Sequence, residues 1–437
     1  MFASLYKKTD IAPLAAFRII FGLLMAGLSC KLVLDGTIYR YYIAPKHTLT
    51  FIGFDWLQPL PGRLMYGYNL VMTIAAFGIA VGYKYRLSLA SFFVLFTAEY
   101  LMQKTWYNNH YYLIMLLCIL LFMVPANGYA ALDSRQKPGI KTVNVPYWCH
   151  LIFILQLTIM YFFAAIAKCY PDWLNGTYPY VLFNNYNFTL PHVLKTPAFY
   201  SFIALGGFLF DLLIVPLLLY KKTRFLATLA SLAFHLFNSF TLGSEIGFFP
   251  YLSLGMLVFF YPPETIRKLF FPTKAVLSDA HSAAGSHNNK GVVRYLLVPF
   301  FIIQLALPLR HLLISGNVLW TEEGHRLSWR MMQKAKSGTT QFRVVDRHTN
   351  KELPYNLKNI LLSNQIRNLG GKPDMIWQAA QLIRKDCAAH GKEVAVYVTA
   401  KASLNGHAER LFINPATDLA HTTYNYFGHD SWVLLYD

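Results

Sequence analysis

Nine mostly apolar stretches run through this chain of 437 residues, at about 11–34, 64–83, 86–103, 111–126, 148–168, 197–220, 224–242, 247–261 and 293–314. A helix needs about 20 such residues to cross a bilayer, so the fourth and eighth stretches are short for the task. A soluble domain carries about 25% charged residues, whereas here 14% are charged and 55% hydrophobic. These features specify an α-helical polytopic membrane protein of about nine transmembrane helices. After residue 315 the pattern changes. Gln341–Asp346 and Val394–Thr399 alternate like strands, and Asp374–Ala389 repeats its apolar residues at helical spacing. The expected division is a membrane domain over 1–315 and a C-terminal extramembrane α+β domain over 316–437.

Loop charges set the orientation. With the N-terminus inside, the inner segments before residue 275 hold thirteen basic residues: Lys7, Lys8, Lys84, Arg86, Arg135, Lys137, Lys141, Lys221, Lys222, Arg224, Arg267, Lys268 and Lys274. The outer loops hold five, namely Arg40, Lys46, Arg63, Lys104 and Lys195. The N-terminus is then cytoplasmic, and nine spans leave the C-terminal domain in a periplasm or a lumen. The first span is interrupted by Arg18 with no cleavage site after it, and reads as retained. The net charge of +18 is spread in short clusters between apolar segments, as orientation requires, and no nucleic-acid motif accompanies it. Five scattered cysteines without a C-x-x-C indicate neither a disulfide framework nor a zinc site. Leu277–Gly291 reads as a flexible inner linker, and the aromatic-rich Tyr424–Asp437 as a segment packing back on the membrane face.

Charges inside a bilayer need a partner or a purpose. Arg18 lies about seven residues in from the inner end of the first span, and Asp211 some fourteen from the outer end of the sixth. At about 1.5 Å per residue they reach nearly one depth, and a structural Arg18–Asp211 ion pair is expected. Polar residues gather at the outer ends. Lys104–Leu113 places Asn108, Asn109 and His110 at the entry to the fourth span, Tyr161–Gly176 carries Lys168, Asp172 and Trp173, and His235 and Asn238 share one face of the seventh. A pocket opening outward between helices would gather them. Each also has a plain reading: a lysine at a span end commonly snorkels to the headgroups, and a histidine beside two asparagines commonly caps a helix. His235 resists that reading, because a buried imidazole needs a partner. No P-loop, GxGxxG, HExxH or G-x-S-x-G occurs.

Phe17–Gly22 (FRIIFG), Lys104–Leu113 (KTWYNNHYYL), Tyr161–Gly176, Phe210–Leu212 (FDL), Phe234–Tyr251 and Ser328–Met332 (SWRMM) together resemble, in the same order, the vitamin K-dependent gamma-glutamyl carboxylase family. The resemblance spans about residues 10–415. It implies a multi-pass membrane enzyme that couples oxygenation of reduced vitamin K, giving the 2,3-epoxide, to carboxylation of peptide glutamate with CO₂, without biotin or metal. The implied cofactor is the hydroquinone of phylloquinone or a menaquinone, with O₂ and CO₂ as co-substrates. The implied partners are a glutamate-containing peptide or protein and membrane lipid.

The resemblance puts the family's base lysine on Lys168, where withdrawal from water would favour the neutral amine. Ala167 stands where animal members carry a second lysine. It makes His110 a catalytic residue that steers the glutamate carboxylate or shuttles protons, and lets Asn109 hold the quinone oxygen. His235 and Asn238, with Trp173, would line the quinone cavity, and Tyr355 of Glu352–Tyr355 would sit near the glutamate. Animal members continue well beyond this length, which implies a short bacterial form and leaves propeptide recognition open. Two other functions fit the same residues: a quinone epoxidase without carboxylation, and a non-catalytic membrane module of the same fold.

Overall fold

The computed structural model describes residues 2–185, 195–272 and 290–436. Its helices follow the apolar stretches closely: α1 Ala12–Leu34, α2 Leu64–Val81, α3 Tyr85–Met102, α4 Asn109–Met123, α5 Trp148–Ile166, the short α6 Pro171–Leu174 and α7 Thr177–Asn185, then α8 Pro197–Leu219, α9 Arg224–Ile246, α10 Phe249–Phe259, α11 Pro263–Phe270 and α12 Lys290–Leu313. Among the described residues six of these, α1, α2, α5, α8, α9 and α12, are long and apolar enough to cross a membrane. The helices α4 and α10 are apolar but shorter. The polar stretch 277–291 falls outside the described residues except for Lys290 and Gly291, which already open α12.

The helical core is built on α1. Phe17 meets Phe153 of α5 and Phe259 of α10 edge-on at 5.4 and 5.2 Å, and those two rings stack at 4.6 Å. Gly22 lets α1 and α2 touch, because a Cβ there would stand 2.4 Å from the Ala80 backbone nitrogen. The outer wall is different. In α5, 67% of the most apolar stretch is buried, against 28% in α8 and 17% in α9. With apolar side chains such as Phe202 and Phe240 pointing outward, α8 and α9 have the composition of lipid-facing helices.

The expected Arg18–Asp211 pair does not form. Arg18 is fully buried and donates from Nη2 to the Ala130 carbonyl at 2.6 Å. Its guanidinium also fills the space over Gly82, which ends α2 in a left-handed turn (φ +66°) and leaves no room for a Cβ. The loop carrying Ala130 is pinned there by Asp133, which caps α3 through the Lys84 and Tyr85 amides at 2.7 and 2.9 Å. The depth estimate failed because α8 does not begin level with the end of α5. Its first fourteen residues, about 21 Å of helix, run past α5 and pack on α6 and α7. Asp211 therefore faces the end of α5 rather than α1.

The C-terminal domain is α+β. Strands β3 Lys336–Asp346 and β5 Val394–Leu404 pair antiparallel from Lys336↔Leu404 to Asp346↔Val394, within a sheet of order β4-β3-β5-β6, where β4 is Glu352–Leu353 and β6 Arg410–Leu411. Two short N-terminal strands, β1 Lys8–Asp10 and β2 Asn144–Pro146, form a separate pair. Helix α13, Pro373–Ala389, lays Met375, Ile376, Ala379 and Ile383 into the core beneath the main sheet. The terminal aromatic segment also differs from expectation. It completes this domain, with Trp432 and Val433 in its core and Tyr436 against Trp320, while Tyr426 donates to the Ile52 carbonyl of the first outer loop at 3.0 Å.

Candidate active site

Lys168 lies two residues past the end of α5, still within the closing turn, so its side chain turns back toward the helix bundle. Its Nζ donates to Asp211 Oδ2 at 2.5 Å and to the Ala164 carbonyl at 3.2 Å, with both side chains of the pair under one-tenth exposed. The indole of Trp173 lies 5.2 Å from that nitrogen and is itself fixed by Nε1 donating to the Ala204 carbonyl at 3.0 Å. A charge held this far from water needs such a partner.

The pair sits at the edge of a cavity of about 680 Å³ between α5, α8, α9 and α10. Phe202, Ile203, Gly206, Phe210, Phe234, Phe237 and Ile246 give it an apolar wall, and the polar groups His110, Tyr161, Lys168, Asp211, His235, Asn238 and Thr241 also line it. Tyr161 OH meets His235 Nε2 at 2.8 Å. His110 stacks on Phe249 at 4.0 Å, and His235 meets the edge of the same ring at 5.8 Å. Each histidine keeps a buried Nδ1 with no hydrogen-bond partner among the described residues. A buried polar atom without a partner is costly, and both imidazoles belong to the lining of one cavity. The size and apolar wall match those of small-molecule sites in general.

The cavity has a strained roof. The segment that follows α12 carries Leu327, Trp329 and Met332 at φ +58°, +56° and +46°, each costing on the order of 1 kcal/mol or more. It is held by the Leu327 amide donating to Tyr107 OH at 2.8 Å, by Asn109 Nδ2 donating to the Arg330 carbonyl at 3.1 Å, and by Trp329, wholly buried against Tyr112. The turn thereby brings Met331 and Met332 to the cavity.

The sequence-based candidates thus divide. His110, Lys168, Trp173, His235 and Asn238 line one cavity. Asn109 does not: its Oδ1 accepts from Tyr107 OH at 2.7 Å, one Nδ2 donor holds the roof, and the residue is not among those lining the cavity. Tyr355 does not either. Its hydroxyl donates to Asp386 of α13 at 2.7 Å in the outer domain. Asp211 belongs to the site rather than to Arg18. Tyr161 and Phe249 were missed, although Tyr161 lies seven residues, two helical turns, before Lys168. Glu99, buried in α3 with an Oε2 unpartnered among the described residues, lies apart from this cavity, beside Tyr42 and Gln103.

The outer domain docks beside this site. Tyr170 donates to the Gln333 carbonyl, and Asp172 accepts from Asn405 at 3.0 Å and meets His407 Nε2 at 2.9 Å. On the α4 side, Asp374 at the start of α13 lies between Lys104, at 3.0 Å, and Arg326. Burial alone would raise the Asp374 carboxyl, but Arg326 and then Lys104 hold it well below the usual carboxylate range. Lys104 itself is pulled down to about 8, because burial outweighs Asp374.

A family model described as the HTTM domain matches residues 6–264, more than half of the chain. A second, the vitamin K-dependent gamma-carboxylase lumenal domain, matches residues 289–437. The chain belongs to the vitamin K-dependent gamma-carboxylase family. The carboxylase match covers the α+β domain and α12, and the HTTM match covers every helix around the cavity. It is thus a multi-pass membrane protein with a lumenal-type C-terminal domain. No solved structure matches the chain.

Proposed function

We propose that this protein couples oxygenation of a reduced naphthoquinone to carboxylation of glutamyl peptides, and that the cavity beside Lys168 is where both occur. The observation that carries the reading is the buried Lys168–Asp211 pair at the edge of an apolar cavity that also holds two histidines, each with an unpartnered nitrogen. Bound there as its hydroquinone with O₂, the quinone supplies the strong base that takes a proton from glutamate Cγ before CO₂ is captured, and it leaves as the 2,3-epoxide.

The residues have separable tasks. Asp211 Oδ2 accepts the proton that Lys168 Nζ holds, leaving a free amine on the cavity side to deprotonate a hydroxyl. His235, fixed through Nε2 by Tyr161, and Asn238 hydrogen-bond a quinone oxygen. His110, clamped on Phe249, presents its ring to the glutamate carboxylate. Trp173 covers Lys168 and excludes water that would quench a strong base. Asn109 acts as a positioning residue for the 326–332 roof. The chain divides into a membrane domain over 1–315 with nine crossings, counting α3, α4 and α10, and an outer domain over 316–437. Its N-terminus is cytoplasmic and its outer domain faces a periplasm or lumen.

The test uses purified protein in nanodiscs with reduced vitamin K, O₂, labelled bicarbonate and a short glutamyl peptide. Epoxide and peptide-bound label, both lost in Lys168→Ala, are the expected result. Epoxide without label would reduce the protein to a quinone epoxidase. Neither product, with no quinone bound, would make it a non-catalytic module.

A further inference from the structure

A second cavity, of about 530 Å³, lies between the first outer loop and α13 and shares no lining residue with the membrane cavity. Its loop wall carries Lys46, His47 and Asp55, and its helix wall Arg384, Lys385 and Asp386. The two walls are tied together. Gln378 Nε2 donates to Thr50 Oγ1 and Asp55 Oδ1 at 3.3 and 3.2 Å, and Gln365 Nε2 donates to the His47 carbonyl at 2.9 Å.

The charges in this groove do not cancel. Both carboxylates accept from neutral donors, Asp55 from Thr50 and Gln378 and Asp386 from the Tyr355 hydroxyl, so they keep their charge and the three cations Lys46, Arg384 and Lys385 exceed them by one. The cations are not matched. Among the described residues Lys46 donates only to the Asn359 carbonyl at 3.3 Å and Arg384 to the Ala420 carbonyl at 2.6 Å. Among the described residues neither they nor Lys385 forms an ion pair. His47 is lowered from its ordinary value chiefly by burial, with Lys46 adding to the shift and Asp386 opposing it. The groove's helix wall also reaches the segment that leads into α4. Helix α13 begins beside Asp374, which pairs with Lys104, six residues before His110. Lys385 lies eleven residues along the helix, about 16 Å, a length that about five extended residues cover.

We propose that this groove docks an acidic segment of the polypeptide whose glutamate is carboxylated, holding the substrate outside the reaction centre through Lys46, Arg384 and Lys385. The inference rests on the carboxylation reading above. A site of this kind acts on capture and salt dependence rather than on the chemical step.

The experiment measures anisotropy of a labelled peptide carrying a run of glutamates, bound to the whole protein in nanodiscs of zwitterionic lipid. Wild type is expected to bind it more tightly than a glutamine-run peptide, and less tightly as salt rises. Lys46→Glu/Lys385→Glu is expected to weaken binding by about tenfold, with Lys46→Gln/Lys385→Gln in between. Label incorporation into a three-residue glutamyl peptide, too short to reach the groove, is expected to stay at the wild-type level in both variants and reports that they fold. Equal binding of the two peptides, or binding unchanged by both variants, overturns the docking site even where carboxylation is found. Acidic-peptide binding lost in the variants, without carboxylation of any peptide by wild type, sustains the site and instead overturns the reading it rests on.

Discussion

Arg18 and Lys168 are both buried cations in the apolar part of one chain, and the surroundings of each decide what it can do. Arg18 is enclosed by Gly82, Ala130 and the loop held by Asp133, and does not line the cavity beside Lys168. Its guanidinium stays charged in any protein environment, so it serves as a plug that ties the ends of α1 and α2 to the 125–147 loop. Lys168 has one carboxylate partner on one side and a 680 Å³ cavity on the other. An amine in that position can exchange its proton with Asp211 and still meet a ligand. The lesson is that intramembrane charge alone does not mark a site, whereas charge against an unfilled space does.

The sharpest way to break this contrast is to remove each cation in turn. Lys168→Ala should lower epoxide formation per folded molecule by about 10³-fold, the scale of a lost general base, well beyond what the stability lost by leaving Asp211 unpaired explains. Arg18→Met should do the reverse. It leaves the buried Ala130 carbonyl unpaired, costing about 2 kcal/mol of stability, while turnover per folded molecule stays near wild type. Thermal unfolding in nanodiscs alongside epoxide assays reads both quantities. An Arg18→Met protein that folds normally but fails to turn over would erase the distinction.

Asp211→Asn sharpens the comparison. The amide keeps the shape of the carboxylate but cannot take up a proton from Lys168. The expected loss is about 10²-fold in kcat with quinone binding retained. If the role of Asp211 were only to neutralise Lys168 in the membrane, the variant would instead lose folded protein in proportion to activity. The yield of monodisperse protein decides between the two.

How much of this was legible in the sequence follows from the same physics. Helix positions were, because a 20-residue apolar requirement leaves a coarse and robust trace, and the strands around Gln341 and Val394 showed through alternation. His110, Lys168, Trp173, His235 and Asn238, which line one cavity, were singled out because such residues stand out against apolar spans. Partnerships were not legible. Asp211 was assigned to Arg18 by depth counting, which assumes that neighbouring helices start level, and α8 begins about 21 Å beyond α5. Resemblance put Asn109 at the quinone oxygen and Tyr355 near the glutamate, because sequence names a residue type but not what satisfies it. Here Tyr107, Arg330 and Asp386 do so. The terminal aromatics were assigned to the membrane on composition, but Trp432 instead closes the core of its own domain.

The smallest predicted effect concerns the Lys104–Asp374–Arg326 junction, where a third buried cation meets the outer domain instead of a cavity. Asp374 titrates well below its ordinary value in the folded protein, near 3.9 for a free side chain. Its contribution is therefore complete above about pH 5 and is lost as pH falls through the depressed folded value. Lys104 runs the other way. Its folded value of about 8 lies below that of a free lysine, so the unfolded chain binds the extra proton between about pH 8 and 10 and stability rises with pH there. The wild-type outer domain should thus become more sensitive to limited proteolysis below about pH 4 and less sensitive above pH 8. Asp374→Asn should remove the acid limb and cost about 1–2 kcal/mol at neutral pH. An acid limb that survives the substitution would mean that the outer domain is held by other contacts, among them Asp172 with Asn405 and His407. The junction would then resemble Arg18 less than its burial suggests.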